Sequence, residues 1–158
     1  MKKIVLAAAL VALSSGSAYA ATANGSATAE VITPIAISHS GTAINFGHFD
    51  AGTGGTVIVS AAGTGSTTGN ITPVGSQGYA ADAFTVTGVT GNTFSIATGN
   101  GSISNGSVSM NFTTTPSSST GTINAGPTTF SVGGVLTVPS GQATGTYTGS
   151  YTATVLYN

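Results

Sequence analysis

The chain has no cysteine and no tryptophan, and its two basic residues, Lys2 and Lys3, both fall within the first three positions. Without cysteine there is no disulfide framework and no thiolate zinc site. Without Lys or Arg after position 3 there is no electrostatic footprint for a phosphate backbone, which excludes nucleic-acid binding. Acidic residues are also scarce. Glu30, Asp50 and Asp82 complete a charged fraction of 3%, where an ordinary soluble domain carries roughly 25%. After residue 20, leucine occurs only at Leu136 and Leu156, and the other strong helix formers are nearly missing. A helical fold has little to build with.

What fills the space is 24 glycines, 28 threonines and 20 serines in 158 residues. The remaining apolar residues are mostly Val, Ile, Phe, Tyr and Ala, and they alternate with Thr and Ser, the period-two pattern of half-buried strands. The alternation predicts strands at Ala43–Phe46, Thr56–Ala61, Ala83–Gly88, Thr93–Ala97, Ser107–Phe112, Thr128–Val132, Val135–Val138 and Thr146–Tyr157. Between them lie Gly91-Asn92, Asn100-Gly101, Asn105-Gly106 and Gly133-Gly134, read as tight hairpin turns. Many short strands at this spacing predict an all-β fold, an immunoglobulin-like β-sandwich.

Residues 1–20 read as a secretory signal: Lys2-Lys3, an apolar run from Ile4 to Leu13, and a small-x-small site at Ala18-Tyr19-Ala20. The run is about half of the ~20 residues a membrane-spanning helix needs. Export through the periplasm to the cell surface is expected, with a mature formal charge of −3 left by the three carboxylates.

The two ends of the mature chain carry most of the information. From Gly145 to Asn158 one face presents Tyr147, Gly149, Tyr151, Ala153, Val155 and Tyr157, and the other is almost all Thr and Ser. A glycine fourteen places from the end, joined by an alternating strand to a penultimate tyrosine, resembles the C-terminal motif of pilins built by the chaperone–usher pathway. That resemblance implies a strand bordering an open groove, formed by Gly145, Tyr147, Tyr151, Ala153, Val155 and Tyr157, where a periplasmic chaperone docks before an outer-membrane usher.

At the other end, Ala23, Gly25, Ala27, Ala29 and Val31 share one parity, alternating with Asn24, Ser26, Thr28 and Glu30. Pro34 cannot donate a ladder hydrogen bond, so it separates this run from the short strand beginning at Ile35. Residues 21–33 therefore read as an extended arm ahead of a body spanning 34–158. The small-residue face of the arm resembles the donor strand of pilin subunits, and the missing cysteines resemble the subclass without disulfides. The resemblance implies identical subunits joined head to tail, each donating its arm to the next, with the sandwich incomplete until the arm arrives. A monomeric secreted binding module that completes its own fold is the other reading. Three further segments, Ile35–Phe49, Ala83–Gly88 and Phe130–Val138, resemble a family of small secreted bacterial β proteins catalogued only as a domain of unknown function.

Chemistry has little support. His48 and Asp50 share one strand face with His39 nine residues upstream, but no standard metal-ligand spacing is matched, and a surface role is favoured. Glu30 lies on the arm, and Asp50 and Asp82 fall in Gly/Ala-rich stretches, so no carboxylate pair is expected. There is no Gly-x-Ser-x-Gly elbow after residue 20, and no glycine run is followed by Lys. No enzyme activity, cofactor or metal is expected.

Overall fold

A computed structural model describes residues 19–158. The signal segment read at 1–20 lies almost wholly outside the described residues. The chain divides into two units, one ending at Val31 and the other covering Ile32–Asn158. Residues 19–31 form neither helix nor strand, and every one of them is exposed.

The second unit is built from thirteen strands and, among the described residues, no helix. They are β1 (Ala36–His39), β2 (Phe49–Asp50), β3 (Gly55–Val59), β4 (Gly65–Gly69), β5 (Thr72–Pro73), β6 (Asp82–Thr87), β7 (Thr93–Thr98), β8 (Gly101–Ser104), β9 (Ser109–Pro116), β10 (Thr120–Thr122), β11 (Thr128–Val138), β12 (Thr148–Ser150) and β13 (Ala153–Tyr157). All pairings are antiparallel. An eight-stranded sheet runs β1-β6-β11-β9-β8-β12, with β3 paired to β11 and β4 paired to β3; β10-β7-β13 form a second sheet, and β2-β5 a small third one. The all-β, sandwich-like expectation holds.

β11 is the spine. Its residues 128–132 pair with β6, residues 134–138 pair with β3, and residues 132–136 pair with β9. Because β9 occupies the other edge, β6 and β3 share one edge in succession, and the change of partner falls at Gly133. Phe130, Val132, Gly134, Leu136 and Val138 share one parity and one face. Phe130 and Val132 join Val86, Phe94, Ile96, Ile123 and Val155 in one core cluster. Leu136 and Val138 join Phe46, Val57, Val59, Ile71, Met110 and Phe112 in another. One strand thus serves both halves of the core.

Gly133-Gly134 is therefore not a turn, as its composition suggests, but the middle of the longest strand. Close approach accounts for the glycines. A Cβ on Gly133 would collide with the Val59 carbonyl and the backbone leaving β3, and one on Gly134 would press on the Thr113 carbonyl and the Phe46 ring. Of the four turn dipeptides, only Asn105-Gly106 closes a hairpin, joining β8 to β9. Gly91-Asn92 and Asn100-Gly101 link strands in different sheets. Ala43–Phe46, expected as a strand, makes only the single bridge Asn45–Ala80.

The last strand also departs from expectation. The run 146–157 is broken at Tyr151-Thr152, with β12 in the large sheet and β13 in the three-stranded one. Its partner turns the same corner: β8 pairs with β12, β7 pairs with β13, and Gly99 N bonds to Thr152 O at 2.8 Å between them. Three residues, 99–101, face two, 151–152, so the register slips by one, the kind of irregularity by which strands pass between packed sheets.

Candidate functional site

The large sheet is covered unevenly. Over the β6 side the three-stranded sheet supplies Phe94, Ile96 and Val155 to close the core. Over Ile103, Met110, Phe112 and Leu136 the cover comes from two segments with little strand structure, 43–51 and 142–149. Between these segments lies a groove of about 900 Å³, which also reaches Val74 and Tyr151. Met110, Phe112 and Leu136 at its floor are buried, while Ile44, Phe49, Ile103, Tyr147 and Tyr151 along it remain partly exposed.

One border of the groove is the C-terminal segment. β12 pairs only with β8 and β13 only with β7, and both partners lie on the same side, so the opposite edge of this segment carries no strand. Gly145 begins it with φ of +150°, a conformation essentially confined to glycine. The Tyr147 hydroxyl donates to Ala143 O at 2.7 Å and accepts from the side-chain amides of Gln142 and Asn105. These bonds tie the 142–147 loop to the β8–β9 hairpin and hold the groove wall in place.

Of the C-terminal residues singled out in the sequence, Gly145, Tyr147 and Tyr151 line the groove. Val155 is buried in the second core cluster, and Ala153 and Tyr157 pack beside it. The arm residues Ala23, Gly25, Ala27, Ala29 and Val31 are all exposed.

The histidines do not converge. His39 Nε2 meets Asp82 Oδ1 at 2.6 Å, Asp50 Oδ1 accepts from Gly52 N, and the His48 backbone N bonds to Gln77 Oε1. No group of three His, Cys, Asp or Glu side chains that could hold a metal is present among the described residues. Asp82, in an Ala-rich stretch of the sequence, is the first residue of β6 and only 3% exposed. Besides His39 it accepts from the Tyr151 hydroxyl at 2.9 Å and from Ala83 N at 2.7 Å. Burial, then the hydrogen bond to Asp82, then the charge of Asp82 push the Tyr151 hydroxyl well above the usual tyrosine range. This three-residue knot sits beside the groove at the corner where the C-terminal segment changes sheet. Residues 39, 82 and 151 are too far apart in the chain for any local pattern to announce it.

Residues 35–157 match a protein family described as "Domain of unknown function (DUF4402)". No curated protein and no solved structure matches the chain.

Proposed function

The chain belongs to the DUF4402 family, and from its own geometry we propose that it is the structural subunit of an extracellular fimbria, polymerised by exchange of its N-terminal arm. The observation that carries this reading is the groove between segments 43–51 and 142–149, bordered by an edge of the C-terminal segment without a partner strand. An unpaired edge beside apolar side chains is an aggregation hazard unless it is filled. An added strand fills both at once, supplying ladder hydrogen bonds and placing alternate side chains in the trough. The arm has the required pattern, with Ala23, Gly25, Ala27, Ala29 and Val31 on one parity. Donation from each copy to the next does not close on itself, so the product is a filament. A periplasmic chaperone occupying the groove and an outer-membrane usher are the partners this assembly route calls for. Export is provided by the segment at 1–20.

The test compares residues 21–158 with residues 34–158 by sedimentation velocity. The longer chain is expected to form concentration-dependent polymers. The shorter one is expected to remain monomeric, to be less stable, and to be rescued by a peptide of residues 21–33. Ala27→Glu in that peptide places a charge in the trough and is expected to abolish rescue, whereas Ser26→Glu, on the opposite parity, preserves it. A longer chain that stays monomeric at every concentration overturns the proposal and favours a self-contained binding module.

A further inference from the structure

We propose that the chain directs its own spontaneous deamidation to Asn24 on the arm and withholds it from Asn105 beside the groove wall. This goes beyond the donor-strand reading and does not depend on it. Three asparagines precede glycine, in the pairs Asn24-Gly25, Asn100-Gly101 and Asn105-Gly106. In such a pair the glycine nitrogen can attack the asparagine side-chain carbonyl carbon, because no side chain on the glycine stands in the way. The glycine nitrogen gives up its proton, the bond from that carbon to the side-chain amide nitrogen breaks, and ammonia leaves. A five-membered cyclic imide remains. Water then opens either carbonyl of the ring, giving aspartate or the isomer whose backbone runs through the side chain. Both products carry a carboxylate where a neutral amide stood.

Ring closure needs an attacking nitrogen that can leave its hydrogen bond, a side-chain amide that can swing over it, and a backbone that can follow. Asn24 meets all of these, since residues 19–31 form neither helix nor strand and all are exposed. At Asn105 each is denied. The Gly106 N–H donates to Ser104 Oγ at 3.0 Å, which engages the attacking nitrogen. Asn105 Oδ1 accepts from Ser107 N and Val108 N, both at 3.1 Å, and Nδ2 donates to the Tyr147 hydroxyl at 3.2 Å. Gly106, at φ of +92°, closes the hairpin, and the pairing of Ser104 with Ser109 holds the backbone on both sides. The Tyr147 hydroxyl is itself fixed by Gln142 and Ala143. The bonds that steady the groove wall therefore also keep Asn105 out of reach of attack. Asn100 stands between the two cases: Gly101 is fixed in β8, but the Asn100 side chain is exposed.

The experiment follows residues 21–158, diluted until monomeric and kept folded in mildly alkaline buffer. Samples are unfolded at intervals, cut after Tyr and Phe, and read by mass spectrometry. Asn24 falls in the fragment 21–46, and fragmentation of 95–112 separates Asn100 from Asn105. Asn105 is expected to convert at least about tenfold more slowly than Asn24, because more than one hydrogen bond must be given up first. In chain unfolded by urea the two rates are expected to converge. Tyr147→Phe removes the partner of Nδ2 and is expected to raise the Asn105 rate about threefold to tenfold, with Asn24 unchanged. Ser104→Ala, at an exposed position, releases the Gly106 N–H. It is expected to act in the same direction, which keeps the test decisive if Tyr147→Phe unfolds. Equal rates at Asn24 and Asn105 in the folded chain, or no change at Asn105 in either variant, overturn the proposal. A chain that never polymerises but shows the expected rates supports it while overturning the donor-strand reading.

Discussion

Asp82 is the one charged side chain that is buried among the described residues, and nothing beyond position 3 offers it a Lys or Arg. Burying a carboxylate is costly unless hydrogen bonds replace its water, and here His39, Tyr151 and the Ala83 amide do so. Replacing Tyr151 with Phe removes one of these donors while keeping the ring against Phe84 and Phe112. A hydrogen bond to a charged group is worth roughly 1.5–3 kcal/mol, so Tyr151→Phe should lower the urea unfolding free energy at neutral pH by about that amount. The alkaline behaviour has a definite sign. The folded protein holds the Tyr151 proton more tightly than the unfolded chain, whose tyrosines titrate near about pH 10. The corresponding stability is complete below about pH 10 and declines as pH rises above it. Urea midpoints measured from pH 9 to about pH 11 should therefore fall less steeply for Tyr151→Phe than for the parent.

At the scale of elements, β11 shows both what could be read from the sequence and what could not. Its alternating Phe130, Val132, Leu136 and Val138 were legible as buried strand positions, but Gly133-Gly134 split them into two predicted strands. Composition cannot separate a glycine that permits a turn from one that admits a neighbouring backbone, because that backbone, at Val59–Ala61, comes from a distant part of the chain. β8 was missed for a related reason, since Asn100-Gly101 has the chemistry of a hairpin and forms a corner between sheets. The parity of 146–157 was legible; its break at Tyr151 was not, because Asp82 supplies the partner there. The groove could be anticipated only on its C-terminal border, since its other wall, 43–51, is held by short pairings to residues 72–74 and 80, which no local pattern announces. Gly133→Ala tests the account of β11. The added methyl meets backbone that cannot move aside, so a loss of about 1–3 kcal/mol is expected from urea unfolding, with unchanged slope. Gly126→Ala, where no atom lies within 4 Å of the new carbon, should stay within about 0.5 kcal/mol of the parent.

Over the whole molecule, the lack of basic residues is the dominant property. Residues 21–158 contain neither Lys nor Arg, so trypsin should leave this chain intact on a denaturing gel even in urea strong enough to unfold it. A protease that cuts after Tyr and Phe should cleave only the unfolded form. The surface tells the same story. Across the outer face of the large sheet, Ser150 pairs with Ser102 and Ser102 with Asn111, while Thr137 pairs with Thr56 and Thr56 with Thr68. These are neutral hydrogen-bonding groups, and salt has no exposed ion pair there to screen.

The position of β11 bears on how the fold comes apart. Its eleven residues are threaded through both apolar clusters, so neither can be shed piecemeal while the other survives. Heating should give a single sharp calorimetric transition, with no half-melted species to expose sticky surface along the way.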